Sequence, residues 1–283
     1  MRQIRILTDN SVKFNQPICQ GIDNHITIPL NISILNSNPH PIIRPGIQDF
    51  PKSLIPNYSI KIVPPNTDDF SIAFQSCSLE FNDFLVLASS SRLPSIYTNA
   101  VQSVEQLHGH TSIHVLDTLT IHAGLLYLVQ EASRLIKNKE DLITVEAHIR
   151  KLIPHIYTLL CIPNLSYLSS LGVIDPGQAI VGEMMGLLPV FSMEDGLLSV
   201  LDKFHKTSQV IDYFISYLSE FIALKRVMII HNRLLIIPEI NQFFEFMKSK
   251  YPCTILSEIP LSVPLTAMLG PEVFGMIAIE STQ

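Results

Sequence analysis

The chain predicts an α/β fold in two domains, and three observations predict it. Short, wholly apolar runs alternate with helical segments through the first half, the pattern of βα units and a parallel sheet. Each run ends in small polar residues just before a helix. The length, 283 residues, is more than one hydrophobic core usually serves.

Gln3 to Thr8 reads as a first strand ending at Asp9-Asn10-Ser11, which are turn and cap residues. His25 to Ile34 alternates strictly, with Ile26, Ile28, Leu30, Ile32 and Ile34 on one face, so it reads as a half-buried strand. Pro29 argues for an edge position. Asn36 to Pro65 is rich in Pro and Asn and reads as loop. Asp68 to Leu79 has helical character. Phe84 to Ala88 is apolar throughout and predicts a strand buried on both faces. Ser89-Ser90-Ser91 then leads to a helix from about Pro94 to Leu107. Ser112 to Leu116 predicts a second buried strand ending at Asp117-Thr118. Helices follow to about Leu135 and from Asn138 to Ile153.

The second half predicts an α/β or α+β domain. Leu152 to Ile174 reads as a buried strand, a turn and a short helix rather than a membrane span, because Pro154, Pro163 and several Ser interrupt it. Gly172, Gly177, Gly182 and Gly186 cluster. Met193-Glu194-Asp195-Gly196 between apolar runs signals a hairpin. Val210 to Leu224 is amphipathic, with Val210, Ile211, Phe214, Tyr217, Leu218, Phe221 and Ile222 on its apolar side. Arg226 to His231, Cys253 to Leu256 and Phe274 to Ile279 read as strands, and Pro238 opens a helix to about Lys250. The expected domains are 1–158 and 159–283.

Composition narrows the function. Charged residues make up 16% and hydrophobic ones 47%, with mean hydropathy +0.31. About 25% charged is usual, so this chain wants burial and is not disordered. The net charge is -6 and no Lys/Arg-rich run occurs, which disfavours a nucleic-acid binder. Cys19, Cys77, Cys161 and Cys253 form no Cys-x-x-Cys pair, so each reads as a small buried hydrophobe. With no signal-peptide run at Met1 to Asp9, a cytoplasmic setting is expected.

Motifs for catalysis are missing: no Gly-x-Gly-x-x-Gly, no Walker-type loop, no Gly-x-Ser-x-Gly and no His-Glu-x-x-His. Neither an enzyme nor a cofactor is expected. His108, His110 and His114 read as loop histidines rather than a metal site. His231 ends a strand, either facing a cleft or hydrogen-bonded as a structural residue. Asp9 and Asp117 also end strands, where capping is the commoner role. The Ser89 to Ser95 turn offers hydroxyls, backbone N–H groups and a helix N-terminus, which suit an anionic head group. A Ser-rich cap is the alternative.

In order along the chain, these segments resemble the DegV family of bacterial fatty-acid-binding proteins. Thr8-Asp9-Asn10-Ser11 stands at the family's T-D-S and Ile28-Pro29-Leu30 at its V-P-L. Ile62-Val63-Pro64-Pro65 stands at T-S-Q-P. Ser90-Ser91-Arg92-Leu93-Pro94-Ser95-Ile96-Tyr97 stands at S-S-x-L-S-G-T-Y, and Val115-Leu116-Asp117-Thr118 at V-I-D-S with Gly124 beyond. Leu165 to Ile174 stands at L-x-Y-L-x-x-G-G-R-I. Met185 to Pro189 stands at L-x-I-K-P, with Asp195-Gly196 after it, and Met268 to Glu272 at H-T-G-P-G.

The resemblance implies two α/β domains with an apolar ligand tunnel between them, holding a long-chain fatty acid or similar lipid. It also implies a separate kinase subunit that phosphorylates the lipid carboxylate. The two hydroxyls that hold the carboxylate in the family fall on Ile62 and Pro94, which have no side-chain hydrogen bond to give. The family's Arg, Lys and His fall on Val173, Leu188 and Met268, while His205 keeps a basic position. These departures argue against kinase-dependent carboxylate chemistry and leave apolar ligand binding intact. The expected lipid-contacting residues are Ile62, Ser90, Ser91, Pro94, Ser95, Asp117 and Met268, with Ser91 or Ser95 facing the ligand. The second reading is a regulatory paralogue with a filled pocket that acts through a protein partner.

Overall fold

A computed structural model describes residues 3–11, 25–36, 40–54, 57–77, 83–106, 112–232 and 237–281. The chain forms two compact units. Unit 1 comprises Met1–Ser33 and Lys61–Pro154; unit 2 comprises Ile34–Ile60 and His155–Gln283. Set beside the expected junction at 158/159, the chain changes unit at 154/155, and the segment from Ile34 to Ile60 joins unit 2.

Unit 1 is built on a four-stranded parallel sheet. Its strands are β1 (Ile4–Asp9), β2 (His25–Ile28), β6 (Asp83–Ala88) and β7 (Ser112–Asp117), in the order β2-β1-β6-β7. All six residues of β6 are buried, as its unbroken apolar run requires. β7 was expected to be equally buried. It is mostly half-buried, because it is an edge strand paired only with β6. Helices α1 (Thr67–Cys77), α2 (Tyr97–Gln106), α3 (Ala123–Lys137) and α4 (Leu142–Leu152) complete the unit. Asp141 caps α4 by accepting from the Thr144 N–H.

The expected single strand from His25 to Ile34 is two strands, β2 and β3 (Asn31–Leu35). Pro29 has no N–H to donate, so the ladder stops there. The Leu30 N–H bonds the Asn10 Oδ1 instead, at 3.0 Å. The burial alternation persists across the break: Ile28, Leu30, Ile32 and Ile34 are all buried. The stretch from Asn36 to Pro65, expected as loop, contains β4 (Ile42–Ile43), a 3₁₀ turn at Ile47–Asp49 and β5 (Ser59–Val63). β4, β3 and β5 form a three-stranded sheet.

Unit 2 carries a six-stranded mixed sheet. Its strands are β8 (Ile156–Cys161), β9 (Leu188–Glu194), β10 (Leu197–Phe204), β11 (Leu224–His231), β12 (Ile255–Pro260) and β13 (Phe274–Glu280), in the order β10-β9-β8-β13-β11-β12. Only β11 and β12 run parallel. The β9–β10 turn puts Asp195 and Gly196 at φ 48° and 79°, the left-handed pair that a tight hairpin needs. Helices α7 (Thr207–Leu218) and α8 (Glu239–Lys250) pack Val210, Phe214, Phe243 and Met247 onto β8, β11 and β13. The amphipathic run ends earlier than its pattern implied: Leu224 starts β11, and Ile222 is exposed. Two short helices and a longer one were not read from the sequence as such or were read only as "a short helix": α5 (Leu165–Ser170), α6 (Pro176–Met184) and α9 (Val263–Leu269). No helix among the described residues is long and apolar enough to cross a membrane.

Candidate functional site

In unit 1 the strands end in Asp9, Ala88 and Asp117, and these ends are stitched to the loop that follows β6. The Ser89 N–H donates to Asp9 Oδ2 at 2.8 Å, and the Ser90 N–H to the Thr120 carbonyl at 2.9 Å. The Ser91 N–H is shared between both Asp117 oxygens at 3.2 and 3.3 Å. The Arg92 N–H donates to Ser90 Oγ and the Leu93 N–H to the Ser90 carbonyl. Asp9 also accepts from the Ser11 N–H, and Asp117 from the Leu119 N–H.

This geometry corrects one expectation. The loop amides are not free to take an anion, because all five from Ser89 to Leu93 are bonded within unit 1. Asp9 and Asp117 take two of them, and Thr120 and Ser90 take the other three. The helix also begins later than expected. α2 starts at Tyr97, so Pro94 lies in the turn before it rather than in its first turn. Ser95 Oγ accepts from the Tyr97 N–H at 3.2 Å.

Of the residues expected to contact lipid, Ser90, Ser91 and Asp117 come together through these bonds, with Pro94 and Ser95 in the same turn. Ser90 is buried; Ser91, Pro94, Ser95 and Asp117 are half-buried. Ile62 is half-buried on β5. Met268 is buried in α9 of unit 2, where Ser262 caps the helix by accepting from the Leu265 N–H. Val173 is exposed and Leu188 opens β9, half-buried.

The other candidates are structural. His231 is buried, with Nε2 3.2 Å from Glu258 Oε2 and Nδ1 3.3 Å from the Asn232 carbonyl. His114 Nδ1 pairs with Glu146, which also binds Arg150. His108 and His110 lie outside the described residues, as does Cys19. No group of His, Cys, Asp and Glu that would hold a metal occurs among the described residues. Burial pushes the Cys161 thiol well above its ordinary range, whereas Cys253 is exposed, against the expectation of four buried cysteines.

A feature that the sequence did not disclose lies in unit 2. α5, α6, β9 and β10 line an open groove of about 770 Å³. Leu165, Ile174, Val181, Met185, Leu187, Phe191 and Val200 give it apolar walls, and Lys203 supplies a cation. Lys203 pairs with no carboxylate among the described residues. The elements that line it also expose apolar side chains, Ile180, Val181 and Met184 on α6 and Leu197, Val200 and Leu201 on β10, Met184 by 83%. Single exposed hydrophobics are ordinary, but a group of them marks a binding surface. α6 is capped by Asp175 and tied down by Glu183, which accepts from Ser53 Oγ at 2.6 Å and from the Ser166 N–H at 2.7 Å. Gly182 lets α6 approach α5, since a Cβ there would fall 2.4 Å from Leu165 Cδ1. The cluster of glycines was the available signal.

A model of the family described as "Uncharacterised protein, DegV family" matches residues 3–281. The chain belongs to the DegV family. A DegV domain-containing protein of Staphylococcus aureus is 21% identical over 218 residues, covering 77% of each chain. Among solved structures, the fatty acid kinase B3 protein of Streptococcus pneumoniae, loaded with linoleic acid, is similar with a TM-score of 0.81 at 15% identity. That match covers 99% of this chain and 100% of the other. A fatty acid binding DegV family protein of Streptococcus agalactiae gives 0.79 at 16% identity over the whole of both chains. At these identities the likeness carries the fold. The two-unit α/β architecture is therefore that of the DegV structures.

Proposed function

We propose that this DegV protein binds a long-chain fatty acid or a similar lipid, and that it acts as a carrier rather than an enzyme. The carrying observation is the apolar pocket of unit 2, whose volume lies in the range of small-molecule sites, about 300–1,000 Å³. Burying an acyl chain contributes roughly 0.8 kcal/mol per methylene, so about 16 carbons give a gross term of about 12 kcal/mol. Association costs of about 4 to 15 kcal/mol offset much of it. The head group then decides how tightly the lipid is held. Two similar solved structures are named for fatty acids, which supports the same ligand class here.

Within unit 1, Ser90, Ser91 and Ser95 of the β6–α2 turn, with Asp117 beside them, are candidate contacts for a polar group. Hand-over to a fatty-acid kinase subunit is the further step that the family suggests. Apolar residues at Val173, Leu188 and Met268, where the family has charged ones, weigh against it.

Native mass spectrometry of the purified full-length chain, followed by solvent extraction, tests the reading. A lipid adduct close to one per chain is expected. Recovery of no lipid, under conditions that preserve a known protein–lipid complex, would overturn it in favour of the partner-binding paralogue.

A further inference from the structure

A second cavity lies wholly within unit 1, at the amino end of its sheet, and lipid binding makes no use of it. It is an open cleft of about 810 Å³, within the range of small-molecule sites, about 300–1,000 Å³. Strand register sets Ile4, Asp83 and Ser112 side by side on β1, β6 and β7, and all three line the cleft. His114, two residues further along β7, lines it too. The turn between α3 and α4, with the first residues of α4, supplies the remainder.

Two of these side chains are set up as recognition groups. His114 Nδ1 pairs with Glu146, and Arg150 holds Glu146 in turn, at 2.7 Å. An imidazole that gives its Nδ1 hydrogen to a carboxylate keeps a lone pair on Nε2. That nitrogen has no hydrogen-bond partner among the described residues. The same carboxylate–imidazole pairing orients the ring in metal sites and in proton-transfer sites. Asp83 is the second group. It is 6% exposed, and a carboxylate so deep is costly to bury. The other five residues of β6 are apolar, so the packing of the strand does not call for an acid at its start.

The chemistry of the cleft favours a donor over an acceptor. Asp83, Glu140 and Asp141 bring three carboxylates, against one ammonium, that of Lys139. Asp141 is engaged by the Thr144 N–H at the start of α4, which leaves Asp83, Glu140 and His114 Nε2 to meet a ligand. Ile4, Ile136 and Leu142 add apolar wall. No group of His, Cys, Asp and Glu among the described residues would hold a metal ion, so a bare cation fits less well than an organic one. We propose that this cleft binds an organic cation, a primary amine or guanidinium on a short hydrocarbon body. Its N–H groups meet Asp83 and His114, and its carbons lie along Ile4, Ile136 and Leu142. The cleft shares no lining residue with the groove of unit 2, and the proposal stands apart from lipid binding.

Isothermal titration calorimetry on the full-length chain at about pH 8 tests it with hexylamine, hexan-1-ol and hexanoate, which share one carbon body and differ in head group. The amine should bind at least about tenfold more tightly than the alcohol, and hexanoate more weakly still. His114→Asn keeps an N–H for Glu146 but removes the Nε2 acceptor. It should weaken the amine about fivefold, the effect of roughly one hydrogen bond. Glu140→Gln changes an exposed side chain and should weaken it about threefold. Asp83→Asn should have the largest effect; because Asp83 is buried, the other two variants carry the test if this one does not fold, as read by circular dichroism. Equal affinity for the three ligands, no saturable heat from the amine, or amine affinity unchanged in folded His114→Asn and Glu140→Gln would each overturn the proposal. All three results would leave the lipid reading standing.

Discussion

The turn after β6 and the region around α6 are both candidate ligand contacts, yet they are built in opposite ways. In the turn, every amide from Ser89 to Leu93 is spent on the protein itself, held by Asp9, Asp117, Ser90 and Thr120. Around α6, large apolar side chains face solvent, and the helix is held by the Asp175 cap and by the bonds of Glu183 with Ser53 and Ser166. The first region is rigid by hydrogen bonding and poor in spare donors. The second is rich in apolar surface that folding has left unburied. The proposed lipid binding therefore rests on the apolar region, whereas the amides of the turn are committed to its own fold.

The largest effect expected from breaking this contrast is at Asp9. Its carboxylate accepts two backbone N–H groups while fully buried. Asp9→Ala leaves both donors dry and should destabilise unit 1 by about 3 kcal/mol, since hydrogen bonds to charged groups contribute about 1.5–3 kcal/mol. Chemical denaturation followed by circular dichroism would read the loss, and an unchanged midpoint would mean the turn does not depend on this brace.

Val181→Asp probes the other region. Val181 lines the pocket yet is 55% exposed, so stability should change by no more than about 0.5 kcal/mol. Binding of a fluorescent fatty-acid analogue should weaken about tenfold, because a charge then stands in an apolar wall. Equal affinity in the variant would place the acyl chain elsewhere.

A smaller effect is expected at Glu146, away from both regions. Burial raises its pKa, but the bonds from His114 and Arg150 outweigh burial and hold it below its ordinary 4.5. A carboxyl depressed on folding contributes stability above its unfolded pKa and loses it as pH falls through the folded value. Glu146→Gln should therefore cost about 1 kcal/mol near neutral pH, where the pair is part-exposed and screened. The difference from the parent should fade as the pH falls through the depressed folded value, where the parent's carboxyl also protonates. Melts at a series of pH values would show it; a gap that persists in acid would contradict the assignment.

Much of this fold was legible in the sequence because its signals are local. The apolar run at Phe84–Ala88, the alternation through Ile28, Leu30, Ile32 and Ile34, and the Asp195-Gly196 turn each follow from the chemistry of a few adjacent residues. The break at Pro29 was foreseeable from the same rules. β7 was misjudged because burial on a second face depends on a neighbouring strand, which no local pattern reveals. The site was less legible. Ser90, Ser91 and Asp117 stood out by their place at strand ends, but the use of the loop amides depends on Asp9, 80 residues away from Ser89 in sequence. The pocket depends on how α6 meets α5 across Gly182 and Leu165. Its walls, Ile174, Val181, Met185 and Val200, carry no motif that marks them in the sequence.

Photo-crosslinking with a fatty acid that carries a diazirine near its methyl end tests the central claim most directly, because it reports where the chain lies rather than whether it binds. The account predicts crosslinks on the peptides that carry Ile174, Val181, Met185 and Val200, lost on competition with excess unlabelled lipid. Crosslinks confined to other peptides, or labelling that competition does not reduce, would contradict it.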